Sequence, residues 1–190
     1  MKILIACGGT GGHLFPGLAV AEMLLSRQHQ VKLLVSEKSV DFTVLSPWTS
    51  NCGLSAIAVC SVPAIGYGGT RRSISFCARL VRALGASANE CREFEPDAVL
   101  GMGGFTSAPA ILAARWRRGV AALIHESNAV PGKANCLAGR MADHIAVGLP
   151  SVPGIFGAGR SRSPAHRCGP GCAPESSRTR TRGSAWIAND

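Results

Sequence analysis

The stretch GGTGGHLFPG at residues 8–17 follows the apolar run ILIAC at residues 3–7. An apolar run, then glycines, then a helical pattern is typical of the first strand, turn and helix of an α/β domain. Glycines allow positive φ angles and let backbone N–H groups approach a phosphate, and the following helix presents its positive end to the same anion. We therefore expect residues 8–12 to bind an anion, with a diphosphate as the ligand; close strand–helix packing is the structural alternative.

Short apolar runs alternate with helical patterns along the first 148 residues. Such strands are typical of a parallel sheet covered on both faces, so the sequence predicts a Rossmann-like, doubly wound α/β domain. The predicted strands are 2–7, 31–36, 54–60, 97–100, 120–125 and 143–147; the predicted helices are 15–27, 38–46, 72–93, 107–117 and 132–141, with a glycine-rich loop at 61–70.

Two further polar or glycine-rich segments follow predicted strands: GMGGFTS at residues 101–107 and HESN at residues 125–128. Ligands of doubly wound sheets bind at the carboxyl ends of the strands. We therefore expect residues 8–13 and these two segments to meet at one rim of the sheet.

The glycine pattern narrows the class of phosphate ligand. A P-loop is excluded because no lysine follows the glycines, and the dinucleotide pattern G-x-G-x-x-G fails at Leu14. Glu37 lies near the place of a ribose-binding acid, so a nicotinamide dinucleotide stays open as an alternative.

Composition favours a folded chain, with 46% hydrophobic and 16% charged residues. The net charge of +9 would suit nucleic acid, but the motifs of common nucleic-acid-binding domains are absent and aromatic residues are only 5%, so we do not expect that partner. Cys168 and Cys172 have no partner pair for zinc, and the sequence lacks an acidic D-x-D pair. No metal and no cofactor are expected.

Three segments together resemble the N-terminal domain of the MurG family: GGTGGHLFPGLAVAEML from residue 8, PDAVLGMGGFTSAPAILAA from residue 96 and HESNAVPGKANCLAGRMAD from residue 125. The family's enzymes transfer N-acetylglucosamine from its UDP conjugate to undecaprenyl-diphosphate-linked muramyl pentapeptide. The resemblance covers residues 1–148 and implies the acceptor-side half of a two-domain GT-B glycosyltransferase.

The resemblance also implies roles for individual residues. The family usually has tyrosine at the position of Phe105 and glutamine at that of Ser127. The UDP-N-acetylglucosamine contacts fall on Thr10, Gly11, Gly12 and Asn128, and the acceptor diphosphate contacts fall on Gly9, Gly103, Gly104 and Ser107.

Glycosyl transfer requires a base for the acceptor hydroxyl, and two residues are candidates. Histidine is the side chain best suited to proton transfer at neutral pH, which makes His13 a candidate, and Glu126 offers a carboxylate from the facing loop. His125 is expected to brace that loop. A residue that merely starts the helix is the alternative for His13.

A lipid-linked acceptor implies peripheral contact with the cytoplasmic face of the bacterial inner membrane. The predicted helix 72–93 fits this location, because arginines such as Arg79 and Arg82 lie beside apolar residues such as Leu80 and Val81. Packing of those apolar residues against the core is the alternative.

Residues 149–190 differ from the rest of the chain. Between 151 and 190 there are six arginines, six glycines, six serines and four prolines, a composition that cannot bury a core. We expect a basic disordered or frameshifted tail in place of the family's donor-binding domain, and therefore no transferase activity of the chain alone. The alternative function is a non-catalytic diphosphate- or acceptor-binding module with a basic, RNA-binding tail.

Overall fold

The first strand shows how the sequence builds the sheet. Leu4 and Ala6 point into one apolar cluster, and Ile3, Ile5 and Cys7 point into another. Successive side chains of a strand face opposite sides, so both faces of this strand are buried. An uninterrupted apolar run is what a central parallel strand requires.

The computed structural model describes residues 1–37, 45, 57–63 and 73–148, with the side chains of the last range described from residue 76. Three predicted features lie wholly or partly outside these residues. They are the helix at 38–46 apart from Leu45, residues 64–70 of the loop at 61–70, and the tail at 149–190. The described elements are β1 (Lys2–Ala6), α1 (Gly11–Ser26), β2 (Gln30–Ser36), β3 (Ala58–Val62), α2 (Ser73–Phe94), β4 (Ala98–Gly101), α3 (Gly104–Arg115), β5 (Ala121–Glu126), α4 (Lys133–Gly139) and β6 (His144–Val147).

The described strands form one parallel sheet in the order β3-β2-β1-β4-β5-β6. The order reverses between β1 and β4, so the loops that follow these strands diverge there and open a crevice at the carboxyl end of the sheet. The predicted doubly wound α/β fold is confirmed.

Two helices begin earlier than the sequence predicted. α1 begins at Gly11 instead of residue 15, and α3 begins at Gly104 instead of residue 107. Proline is common in the first turn of a helix, which would favour helix starts close to Pro16 and Pro109. Pro16 and Pro109 instead lie inside their helices, so the glycines before them form the first turns.

The edge strand β3 also differs from its prediction. It spans Ala58–Val62, later than the predicted 54–60, and three residues that were assigned to it, 54–56, lie outside the described part of the chain. Its alignment is set by pairing with β2, in which Lys32 lies opposite Ala58 and Ser36 opposite Val62. Pairing with a neighbouring strand is a tertiary constraint that apolar content alone does not reveal.

Gly8 lets the first loop pass close to β2. A Cβ on Gly8 would lie 2.2 Å from the backbone nitrogen of Ser36 and 2.7 Å from the carbonyl carbon of Val35. Both neighbours are backbone atoms of a buried strand, so neither can move aside cheaply. Gly8 is therefore required by packing.

We predict that Gly8→Ala destabilises the fold by about 1–3 kcal/mol or more, because the added methyl overpacks a rigid backbone. The matched control is Gly85→Ala in α2, where a Cβ meets no described atom within 4 Å. That change should stabilise the protein by about 0.5–1 kcal/mol, since alanine suits a helix better than glycine. Urea unfolding of the three proteins measures both effects, and equal stabilities would contradict the packing role of Gly8.

Candidate active site

The first loop connects β1 to α1 at the carboxyl rim. Gly9 has φ +109°, a conformation that favours glycine. Thr10 precedes the helix in an extended conformation, and no described side chain caps it. The first turn of α1, which the structure describes completely, also carries no acidic residue. The positive end of α1 is therefore not neutralised by the side chains of its own first turn.

The second loop connects β4 to α3 and needs glycine at two successive positions. Gly103 and Gly104 have φ angles of +116° and +72°. The hydroxyl of Ser107 accepts a hydrogen bond from Gly103 N at 2.8 Å, and it lies 2.7 Å from the acceptor Gly103 O and 3.2 Å from the acceptor Ala6 O. Ser107 holds the loop onto β1.

That placement changes the role expected for Ser107. Its side chain is fully buried and its hydroxyl is occupied by backbone groups. A direct contact with an acceptor diphosphate does not fit this position. Ser107 instead supports the loop that carries Gly103 and Gly104.

His13 joins the first two loops. A Cβ on Gly103 would lie 2.6 Å from His13 Cε1, and one on Gly104 would lie 3.1 Å from His13 Cδ2. The imidazole therefore rests directly on the glycine backbone of the second loop. A further link is the hydroxyl of Thr106, which donates to Gly8 O at 3.0 Å.

The third loop is held by the carboxylate of Glu126. Its Oε1 accepts from Asn128 N at 2.9 Å and Asn128 Nδ2 at 2.8 Å. Its Oε2 accepts from Asn135 Nδ2 at 2.8 Å and Gly132 N at 3.3 Å. The side chain is completely buried, so these donors replace the water that a charged group otherwise needs.

These hydrogen bonds decide the protonation of Glu126. Burial by itself would raise the pKa of its carboxyl group, but the hydrogen bonds from Asn128, Asn135 and Gly132 outweigh burial and hold the pKa below its usual value. A buried, ionised and fully hydrogen-bonded carboxylate is a poor proton acceptor. The geometry favours an anchoring role for Glu126 over the role of general base.

His125 precedes this carboxylate on β5. Burial lowers the pKa of its imidazole; the nearby Glu126 charge raises it, and the charge of His13 lowers it further. The effect of His13 on His125 indicates that the two histidines lie near each other. The expectation that His125 braces the loop stays a prediction, since the hydrogen bond from Asn135 Nδ2, at 3.4 Å, goes to the backbone carbonyl of His125 and not to its imidazole.

Gly11 and Gly12 differ from the other glycines of the rim. Neither has a positive φ angle, a Cβ on Gly11 would approach the Phe15 ring at 3.4 Å, and one on Gly12 would meet only Thr10 Oγ1, at 4.0 Å, among the described atoms. The fold therefore gives no steric reason for glycine at residue 12 and little at residue 11. Thr10 and Gly12 are exposed at the same loop.

The structure brings all three predicted segments to one rim. Asn128 is exposed there, whereas Phe105 stacks edge-on with Phe76 at a centroid distance of 6.4 Å.

Sequence reasoning missed Thr106 and Asn135, which are both buried and link neighbouring loops. Each is a polar residue in the first turn of a helix that starts at this rim, and this position is the signal that would have found them.

Comparison with known proteins places the chain among the glycosyltransferases. It belongs to glycosyltransferase family 28: residues 3–147 match the model of the N-terminal domain. The solved structure of Acinetobacter baumannii MurG is similar, with 29% identity and a TM-score of 0.66 over 79% of this chain and 42% of that one. A putative UDP-N-acetylglucosamine 2-epimerase from Listeria monocytogenes, 15% identical with a TM-score of 0.62, shares the fold.

Curated relatives confirm the resemblance to the MurG family. The chain is 38% identical over 158 residues to a protein of Geobacter sp. strain M21, and 41% identical over 162 residues to one of Pelobacter propionicus. Both are named UDP-N-acetylglucosamine–N-acetylmuramyl-(pentapeptide) pyrophosphoryl-undecaprenol N-acetylglucosamine transferase. These matches cover 82% and 84% of this chain but only 41% of each relative.

We predict that Glu126→Gln destabilises the protein at pH 7 by about 1–3 kcal/mol, because it removes the charge that its donors satisfy. The native pKa of Glu126 is lowered, so its stabilising contribution is present above the unfolded-state value of about 4.3 and is lost as the pH falls through the native value. The difference between wild type and variant should therefore shrink below about pH 4.

Urea unfolding at pH 7 and at pH 3 measures this difference. Glu22→Gln on the exposed face of α1 is the control and should change stability little at either pH. A Glu126→Gln defect that is equally large at both values would contradict the ionised state of the carboxylate.

Proposed function

We propose that residues 1–148 form the acceptor-side domain of a transferase that moves N-acetylglucosamine from UDP-N-acetylglucosamine to undecaprenyl-diphosphate-linked muramyl pentapeptide. The names of the 38–41% identical relatives support this reaction. The observation that carries it is the open backbone at Gly11 and Gly12, where a helix begins with glycines that packing does not require. Glycine costs helix stability, so a ligand that approaches this backbone supplies the missing reason.

Two helix starts support a diphosphate ligand at this rim. α1 and α3 begin on adjacent loops, and the first turns of both, all of whose residues are described, carry no acidic side chain. Their positive ends attract negative charge. We assign the acceptor diphosphate to the backbone of Gly9, Gly103 and Gly104.

The donor is assigned to the outer part of the same rim. Thr10 and Asn128 are both exposed, and Asn128 is fixed because its amide nitrogen donates to Glu126. In our proposal these side chains and the backbone of Gly11 and Gly12 contact UDP-N-acetylglucosamine. A second domain, of the kind that the longer relatives have room for, supplies the remaining contacts and closes the cleft against water.

His13 is the proposed general base. Its imidazole is fixed against Gly103 and Gly104, next to the proposed diphosphate position. As the acceptor hydroxyl forms a bond to the anomeric carbon of N-acetylglucosamine, its proton passes to His13. The bond to UDP breaks, and UDP leaves with the electron pair. Glu126 contributes by holding the facing loop.

Contact with the membrane surface is part of the same proposal, because the acceptor carries a lipid. In α2, Leu80 and Val81 are exposed beside the exposed Arg79 and Arg82. Apolar and arginine side chains on one surface suit an anionic bilayer interface. Two further arginines at the start of the predicted helix 72–93, Arg71 and Arg72, lie outside the described residues. No helix in the part of the chain that the structure describes meets the length and hydropathy needed to span a bilayer.

We predict that Gly12→Val abolishes binding of UDP-N-acetylglucosamine, because the branched side chain keeps the donor diphosphate away from the backbone N–H groups. The fold should remain, since a side chain at residue 12 has room. Calorimetric titration measures the affinity, and thermal unfolding checks the fold.

Gly85→Val is the matched control, because it makes the same change in a helix away from the rim. It should leave affinity unchanged. If Gly12→Val binds UDP-N-acetylglucosamine as tightly as Gly85→Val, the donor diphosphate does not lie at this loop.

We predict that His13→Ala lowers turnover by roughly 10²–10⁴-fold, the usual contribution of a general base. The assay uses the chain joined to the second domain of the Geobacter relative, since we expect residues 1–148 to turn over no substrate alone. Glu126→Gln is measured in parallel and should have the smaller effect. A loss below tenfold for His13→Ala would return the role of base to Glu126, and a joined protein that binds diphosphate without turnover would favour the binding-module alternative.

A further inference from the structure

Three buried polar atoms at this rim have no hydrogen-bond partner among the described residues: His13 Nδ1, His125 Nδ1 and Asn135 Oδ1. Buried polar atoms of proteins are nearly always paired, directly or through a bound water. Two of the three atoms are complementary, because an imidazole Nδ1 can carry a proton and an amide oxygen accepts one. This complementarity identifies Asn135 as a partner for a histidine.

The orientation of the Asn135 amide is fixed by its surroundings. Its Nδ2 donates to Glu126 Oε2 at 2.8 Å and points to His125 O at 3.4 Å. Both of these atoms only accept, so the reversed amide would place Oδ1 against a carboxylate. Asn135 is 2% exposed, so its Oδ1 is shielded from bulk solvent. This oxygen accepts no hydrogen bond from the described residues.

Gly103 brings Asn135 and His13 together. A Cβ on Gly103 would lie 2.7 Å from His13 Nδ1 and 3.2 Å from Asn135 Nδ2, so both side chains border the space that the missing Cβ leaves. The imidazole of His125 is a weaker candidate for this partnership. Successive side chains of β5 point to opposite faces of the sheet, and Asn135 is bonded on the Glu126 face.

We propose that Asn135 is a positioning residue for His13: its Oδ1, oriented by Glu126, accepts the Nδ1 proton of His13 through one bridging water. The proton is then fixed on Nδ1, and the lone pair is fixed on Nε2. Which ring nitrogen carries the proton is set by the partner of the other nitrogen. The importance of this tautomer for the reaction rests on the proposed function of His13 as base. The tautomer itself is independent of that function.

The tautomer can be measured without any activity. In the chain labelled with ¹⁵N-histidine, two-bond ¹H–¹⁵N correlation spectra at a pH where the ring is neutral show which ring nitrogen of His13 carries the proton. We expect a proton-bearing Nδ1 and a proton-free Nε2 in the wild type. A wild-type ring with its proton mainly on Nε2 would overturn the proposal, and this result needs no variant to fold.

Asn135→Leu should shift His13 toward the Nε2–H tautomer, because the acceptor is gone. Asn135→Asp should keep the Nδ1–H tautomer, since a carboxyl group that shares a proton with Glu126 has an acceptor oxygen in the same place. The control is Asn128→Leu, which removes the side-chain hydrogen bond to the same carboxylate but at its other oxygen. It should leave the His13 tautomer unchanged, and an equal shift in both leucine variants would show a general loosening of the loop instead.

Kinetics of the joined two-domain protein separate this inference from the proposed function. Asn135→Leu should lower kcat by roughly 10–100-fold, as loss of an orienting partner usually does, with the KM for UDP-N-acetylglucosamine nearly unchanged. If the wild-type His13 ring carries its proton on Nδ1 but His13→Ala keeps full turnover, His13 is not the general base and the positioning contact stands. If the wild-type ring carries its proton on Nε2 but His13→Ala loses turnover, the positioning contact is wrong and His13 remains the base.

Discussion

The site depends on the close approach of the His13 imidazole to the backbone of Gly103. A Cβ at residue 103 would overlap the ring, at 2.6 Å from Cε1, so the two loops meet only because this side chain is missing. Ser107 holds the same glycine from behind, and Thr106 ties α3 to the first loop. The loops on the two sides of the crevice between β1 and β4 are thus joined into one surface.

Glycine serves three different purposes along this rim. Gly8 and Gly17 allow close backbone packing, since a Cβ on Gly17 would lie 2.4 Å from the Cβ of Cys7. Gly103 and Gly104 provide positive φ angles, and Gly12 provides open backbone. The dinucleotide pattern fails at the buried Leu14 because the tight helix–strand contact occurs one turn later, at Gly17. A Rossmann-like turn is therefore built here without the spacing that marks nicotinamide-dependent enzymes.

A buried negative charge lies close to a proposed anion site, and its hydrogen bonds explain how both can be present. The four donors around Glu126 come from the loop after β5 and from α4, so its charge is satisfied within the third loop. The positive ends of α1 and α3 belong to the other two loops. The carboxylate thus organises the third loop, and the helix ends set the potential at the rim.

The sequence by itself determined the α/β class, the six strands and the rim on which three segments meet. Apolar strands with both faces buried and glycines after them leave few other arrangements. Resemblance of three motifs also determined the family, because their order and spacing are hard to match by chance. The starts of α1 and α3 were not predicted correctly. Proline is common in the first turn of a helix, but Pro16 and Pro109 lie farther inside α1 and α3.

Only the tertiary structure distinguished the roles of individual polar residues. In the sequence, Ser107 and Glu126 have the residue types and positions expected of ligand-binding residues. Because both are buried and hydrogen-bonded within the protein, they instead support their loops. The position of Asn135 in the first turn of α4 could have marked it as a candidate, but its hydrogen bond to Glu126 and its place beside Gly103 became visible only in the structure. The reason is physical: the chemistry of a polar atom depends on which donors and acceptors surround it, and those neighbours are chosen by packing between elements and not by local sequence.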